Sequence, residues 1–267
     1  MPRRSANLLN QINAWLIRHW IVRIWLFTLL FVVILVMTFR PFPVMHPRLP
    51  NFSKIQDTQE KKDAFFDFLI PYIKEANTEI AATRRALLRL ESRVSGGVLN
   101  KRDIVWLNRI ASDFGLKLDP RVPLTSEDLE VLLLRVDRIP PSLALAQAAL
   151  ESAWGTSRFA REGNNLFGKW CYVPGCGIVP RQRPAGATYE LQVYRSPKES
   201  FLDYIRNLNS NPAYESLWLI RADSRADGEQ ASGIELADGI FRYSEEGWLY
   251  ISKIKQVIRS NGLDELD

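Results

Sequence analysis

Histidine is scarce in this sequence, and its scarcity removes whole classes of chemistry. Only His19 and His46 occur among 267 residues. Everything beyond residue 46 therefore lacks the imidazole that Ser-His-Asp and Cys-His nucleophiles need, and lacks the usual nitrogen ligand for metals. Cysteine is as sparse, with Cys171 and Cys176 alone, so no metal and no cofactor are expected. Glycine-rich phosphate loops of the Walker or dinucleotide type are missing, which argues against nucleotide chemistry. Acidic residues are missing before Asp57, while Arg3, Arg4, Arg18, Arg23, Arg40 and Arg48 all lie in that stretch. The formal net charge of +5 thus belongs to the N-terminal flank, the remainder is close to neutral, and no nucleic-acid binding is expected. Carboxylates and tyrosines are the chemistry that remains.

What is present begins with an uncharged run, Ile24 to Phe39, which Trp20 to Val22 extend past Arg23 to about the length of a bilayer-spanning helix. A buried core helix is the alternative, but such a helix seldom lacks any polar stripe over so many residues. Arginines crowd the N-terminal side, and Phe39-Arg40-Pro41-Phe42-Pro43 offers no small-x-small cleavage site. The run reads as an uncleaved signal anchor with its N-terminus inside and its bulk outside. The implied division is a cytoplasmic segment 1–19, a transmembrane anchor 20–40 that attaches the chain to the membrane, and a proline-rich extended spacer 41–55. Between Cys171 and Cys176, Tyr-Val-Pro-Gly reads as a tight turn that allows a local disulfide, in keeping with an oxidising exterior such as a periplasm.

From about Gln56 to Val94, residues Phe65, Phe66, Leu69, Ile73, Ile80, Leu87, Leu88 and Leu90 recur at helical spacing, with Pro71 an internal kink or break. Lys101 to Phe114 and Ser126 to Val136 are predicted as two further helices. Pro140-Pro141-Ser142 starts another that Gly155 ends, and an irregular stretch follows from Gly163 to Gly186. Thr188 to Tyr194 alternates as a strand, and helices are predicted over Ser196 to Leu208 and Gly247 to Ser260. The expected fold class is mainly α with a small β-lobe, a helical pre-domain over 56–125 preceding the main domain over 126–267.

Glu151 is the unusual acid. It lies in LALAQAALESAWG, where the other residues before it are small or apolar apart from Gln147, and just ahead of the Gly155 stop. Partial burial disfavours a carboxylate, and the helix C-terminus is the negative end of the dipole, so both effects should raise its pKa. A carboxyl group kept protonated near neutrality suits the protonation of a glycosidic leaving oxygen. The alternative is an ordinary surface glutamate on an amphipathic helix.

Several segments together make the sequence resemble a known family. They are Ala149-Leu150-Glu151-Ser152-Ala153-Trp154-Gly155-Thr156-Ser157, Asn164-Asn165-Leu166-Phe167-Gly168, Ser196 to Leu208, Asn211-Pro212-Ala213-Tyr214, and Tyr243-Ser244. The family is glycoside hydrolase family 73, the peptidoglycan N-acetylglucosaminidases, and within it the Bax-type bacterial proteins, whose pre-domain helices Lys61 to Ala86 also resemble. The resemblance implies a lysozyme-like fold, a helical lobe and a β-lobe around a groove, with Glu151 as the catalytic acid at a helix end. It implies peptidoglycan glycan strands as the partner, cut between N-acetylglucosamine and N-acetylmuramic acid. The anchor is no part of the resemblance, and it is the anchor with the cysteine loop that places the catalytic domain on the periplasmic side of a bacterial inner membrane.

By the same resemblance Asn165, Leu166, Phe167 and Gly168 form a groove-lining turn, Trp154 and Tyr214 contribute to substrate binding, and Tyr243 stands beside the cleaved bond. On the residues alone, Phe167 suits core packing equally well, and Tyr243 suits packing at the start of the last helix. The sequence departs from the family where many members carry a second acid in the β-lobe, since Gly177-Ile178-Val179-Pro180 occupies that place. Glu190 lies nearby as a substitute that the alignment does not put at that position. A missing second carboxylate favours substrate-assisted cleavage over a water-activating base. The rivals are a muramidase or lytic transglycosylase on the same polymer, and a noncatalytic wall-binding scaffold.

Overall fold

The computed structural model describes residues 20, 25, 27–29, 31, 48–119, 122 and 124–267. Most of the predicted anchor 20–40, and residues 41–47 of the spacer 41–55, lie outside the described residues. Among the described residues no helix is long and apolar enough to cross a membrane. The described residues from 48 onward belong to one compact unit, His46–Asp267.

Nine helices are described in that unit: α1 (Thr58–Ser95), α2 (Lys101–Asp113), α3 (Ser126–Arg135), α4 (Pro141–Glu151), α5 (Arg158–Gly163), α6 (Pro197–Ser210), α7 (Glu215–Ala226), α8 (Gly233–Leu236) and α9 (Trp248–Ser260). A small antiparallel sheet of β1 (Trp170–Cys171), β2 (Gly177–Ile178) and β3 (Glu190–Gln192) has β3 in the middle. The mainly helical body with one small sheet follows the expectation, and α6 carries the Ser196 cap its sequence calls for, while α3 is capped by Thr125, one residue ahead of Ser126, where the sequence suggested a cap. Asn100 and Asp103, and Thr125 and Asp128, make reciprocal capping boxes, and Ser196 accepts from the Glu199 amide.

The predicted kink or break at Pro71 does not divide the helix, because α1 runs unbroken across it for 38 residues. A proline interior to a helix costs about 3 kcal/mol. Phe65, Phe66 and Leu69 before it, and Ile73, Ala76 and Ile80 after it, are all buried, so packing on both sides outweighs that loss. Pattern reading passed over α5, α7 and α8. In α7 only Leu217, Trp218 and Arg221 are buried, which is no recurring apolar stripe. The alternating segment 188–194 contracts to the three residues of β3.

Helix α4 lies in the core of this unit. Every residue from Ser142 to Ala149 is buried, with α1 packed on one side and α9 on another. Leu, Ala and Ile residues from the stretch before residue 125 and from the stretch after it join one hydrophobic core. The link between α3 and α4 is satisfied by side chains from afar. The Asn77 amide donates to the Ile139 carbonyl and accepts its N–H. The buried Arg221 guanidinium donates to the carbonyls of Leu134, Arg135 and Arg138, and Asn209 donates to that of Asp137. The Asp137 carboxylate lies against Arg225, with Arg84 at 3.6 Å and Arg221 at 3.8 Å.

Candidate active site

Glu151 is the last residue of α4, and the turn behind it aims its side chain. Ala153, Trp154 and Gly155 have φ of 50°, 57° and 71°, a left-handed run that L-residues adopt at a cost. Ser152 holds it together, its hydroxyl donating to the Ala148 carbonyl at 2.6 Å and accepting the Gly155 N–H at 2.8 Å. Glycine is required at 155, since a Cβ there would stand 2.7 Å from the Phe52 ring. The turn carries Trp154 away from Glu151 and against Phe65 and Phe66, with ring centroids 5.9 and 5.4 Å apart and the Lys62 ammonium 5.2 Å over the indole. Trp154, expected among the substrate-binding residues, sits in the packing of α4 on α1.

Behind Glu151 a chain of hydrogen bonds runs into the core. Tyr204 donates to Gln147 Oε1 at 2.5 Å, Gln147 Nε2 donates to the Tyr250 hydroxyl at 3.1 Å, and Tyr250 donates to Glu151 Oε1 at 2.7 Å. The amide fixes the direction: its nitrogen can only donate, so the single Tyr250 proton is left for the carboxylate. Glu151 has its pKa raised, first by burial, with the Glu246 charge adding to it and the Tyr250 hydrogen bond opposing it. Burial and the Glu151 charge push the Tyr250 and Tyr243 hydroxyls far up, so both stay neutral donors.

Removing one member of this chain should move the titration in a known direction. Tyr250→Phe deletes a bond that favours ionised Glu151, so the carboxyl pKa should rise. The alkaline limb of a pH–rate profile governed by protonated Glu151 should then move up by roughly half to one unit. An unmoved or lowered limb would show that Tyr250 does not tune the acid.

Glu151 opens on a cleft of about 310 Å³ lined also by Phe167, Gly168, Lys169, Trp170, Tyr194, Ser200, Asp203, Tyr204, Asn207, Tyr214 and Tyr243. The Tyr243 ring stacks on Tyr250 at 5.6 Å and leans on Tyr214 at 6.1 Å, while Phe167 stacks on Tyr204 at 4.0 Å. Asp203 accepts from the Tyr194 hydroxyl at 2.7 Å and stands 3.8 Å from Lys169. The structure therefore brings together Glu151, Phe167, Gly168, Tyr214 and Tyr243 of the residues singled out by sequence.

Asn165, Leu166 and Glu190 are placed elsewhere. Buried Asn165 binds the backbone, donating to the carbonyls of Lys169 and Gln192 and accepting the Lys169 N–H, each at 2.9 Å. Leu166 is fully buried, its N–H bound to Ser200. Glu190 is buried under the loop between the cysteines, which form a disulfide. Its carboxylate accepts the N–H groups of Gly175 at 3.1 Å and Gly177 at 2.8 Å, and these bonds hold its pKa down. Among the described residues, Cys171, Cys176 and Glu190 are the acid and thiol groups near enough to share an ion, but sulfurs bonded to each other offer no thiolate.

Sequence reasoning missed Gln147, Tyr194, Asp203, Tyr204 and Tyr250. A signal existed for one set: Ser200, Asp203, Tyr204 and Asn207 are spaced i, i+3, i+4, i+7, a polar stripe on one face of α6 that turns out to face the cleft.

A partly buried acid at a helix end, in an aromatic-lined cleft of a helical body with a small antiparallel sheet, suits the protonation of a leaving oxygen by which a glycoside hydrolase works. Residues 132–263 match the glucosaminidase family, described as mannosyl-glycoprotein endo-beta-N-acetylglucosaminidase. Protein bax of Escherichia coli strain K12 is 32% identical over 216 residues, 80% of this chain and 74% of that protein. The chain belongs to this glucosaminidase family, glycoside hydrolase family 73, as a Bax-type member. The peptidoglycan hydrolase FlgJ of Vibrio parahaemolyticus is 36% identical over 102 residues, which span 33% of this chain and 32% of FlgJ. The catalytic domain of the autolysin Auto of Listeria monocytogenes aligns over 63% of this chain and 89% of its own at 21% identity, with a TM-score of 0.37.

Proposed function

We propose that this chain is an endo-β-N-acetylglucosaminidase that cleaves the β-1,4 bond between N-acetylglucosamine and N-acetylmuramic acid in peptidoglycan. The observation that carries the reading is Glu151, an acid with a raised pKa at the end of a buried helix, facing an aromatic-lined cleft. Protonated Glu151 donates to the leaving glycosidic oxygen. Glu190, bound to two backbone amides away from the cleft lining, is poorly disposed to activate water. In its place the N-acetyl oxygen of the sugar attacks the anomeric carbon as the glycosidic bond breaks. The Tyr243 hydroxyl steadies the acetamido group, and ionised Glu151 then takes a proton from the water that opens the cyclic intermediate.

Digestion of purified sacculi by the protein, followed by mass spectrometry of the fragments, tests the bond assignment. Products ending in reducing N-acetylglucosamine are expected. Muramic-acid ends would assign the other bond, with the anhydro form marking a transglycosylase, and no soluble product would leave a glycan-holding scaffold.

A further inference from the structure

Trp170 does not fit the usual economy of a small β-lobe. It sits on a two-residue strand, remains 48% exposed, and lines the cleft that Glu151 faces. A large flat ring left open beside a groove offers a ligand apolar area together with an indole N–H. One face of the indole is covered by Tyr189, stacked at 4.4 Å with an interplanar angle of 18°. Tyr189 is not among the cleft-lining residues, so it backs the indole and leaves the other face to the cleft.

The residues on either side of Trp170 are pinned. Its predecessor Lys169 is clamped at both N–H and C=O by the buried Asn165 amide, and the same carbonyl accepts the Gln192 N–H. Its successor Cys171 is bonded to Cys176 and pairs with Glu190 across β1 and β3. Glu190 in turn accepts the N–H groups of Gly175 and Gly177, tying down the far end of the disulfide loop. A ladder this short is marginal by itself, so these clamps are what hold the ring at a fixed height over the cleft.

We propose that Trp170, backed by Tyr189, is a stacking platform for one pyranose ring of the glycan, and that Glu190 and the disulfide are positioning elements for it. This rests on the reading of the cleft as a glycan site. The C–H face of an N-acetylhexosamine fits a flat aromatic surface, and stacking holds the ring without polar contacts to its hydroxyls. Glu190 then acts through Trp170 and touches no reacting atom.

The test separates affinity from turnover. Trp170→Ala should raise KM on sacculi by roughly 10-fold with kcat within about 2-fold, and Trp170→Phe should recover most of the loss. Glu190→Gln, and dithiothreitol reduction of the unmodified chain, should each raise KM severalfold without a matching fall in kcat. If Glu190 were the second catalytic acid, Glu190→Gln would lower kcat about 10²-fold or more, which overturns the positioning role. A KM unchanged in Trp170→Ala overturns the platform.

Calorimetry with the N-acetylglucosamine tetramer gives a readout free of turnover, on a chain carrying Glu151→Gln with and without Trp170→Ala. Weaker binding with the second substitution supports the platform even if the sacculus products assign another bond. Equal binding, or none to either chain, overturns it.

Discussion

Replacing Glu151 with glutamine should lower peptidoglycan hydrolysis at least about 10³-fold and leave the melting temperature unchanged or higher. Glutamine keeps the volume and can still accept the Tyr250 proton, which reaches Glu151 Oε1 at 2.7 Å in the native chain. What it loses is the ability to donate a proton. The stability expectation follows from linkage. The folded pKa of Glu151 lies above its ordinary value, chiefly through burial, so between the two values the folded state binds more protons than the unfolded one. Stability therefore falls as pH rises through that window. Above it the ionised carboxylate is a standing penalty that glutamine removes. Sacculus turbidity and calorimetric melting at neutral pH measure both effects; an active variant, or one inactive only because it unfolds, would make Glu151 structural.

Asp137→Ala should instead destabilise the whole unit, by about 3–5 kcal/mol, the usual cost of removing one partner from a buried ion cluster. Asp137 is 4% exposed and lies against Arg225, with Arg84 and Arg221 within ion-pair distance, so the cluster links α1, α7 and the α3–α4 connection. Burial pushes the Arg221 guanidinium down to about 10, with the Asp137 charge opposing that shift. Without Asp137 the buried Arg221 keeps its hydrogen bonds to the carbonyls of Leu134, Arg135 and Arg138 but faces Arg84 and Arg225 with no opposite charge beside it. Urea unfolding at neutral pH measures the loss; a change under about 1 kcal/mol would mean that water reaches the cluster and screens it.

The two substitutions separate local chemistry from long-range construction, and the legibility of the sequence divides along the same line. Glu151 was legible because its signal is local: one acid at the end of an apolar run, followed by Ser152 and Gly155, whose bond to each other shapes the turn. The Ser196 cap of α6 and the proline-led start of α4 are local in the same sense. The Cys171 to Cys176 disulfide spans five positions, and the turn between them announced it.

Asn165 and Leu166 resemble groove-lining residues because their neighbours Phe167 and Gly168 do line the groove. Which of the four faces the cleft depended on the bonds to Gln192 and Ser200, 27 and 34 positions away. Glu190 read as a spare acid until the strand register set Cys171 opposite it and brought the Gly175 and Gly177 amides to its oxygens.

Composition, periodicity and turn chemistry by themselves determined the helical class, the starts of the capped and proline-led helices, the disulfide and the acid at the end of α4, since each rests on residues a few positions apart. Tertiary structure alone decided that Trp154 packs on α1 while Trp170 opens on the cleft, and that Tyr204, Gln147 and Tyr250 line up behind Glu151. Those partners are separated by 57, 103 and 99 positions. Direction and distance between such remote groups exist only once the core has closed around α4.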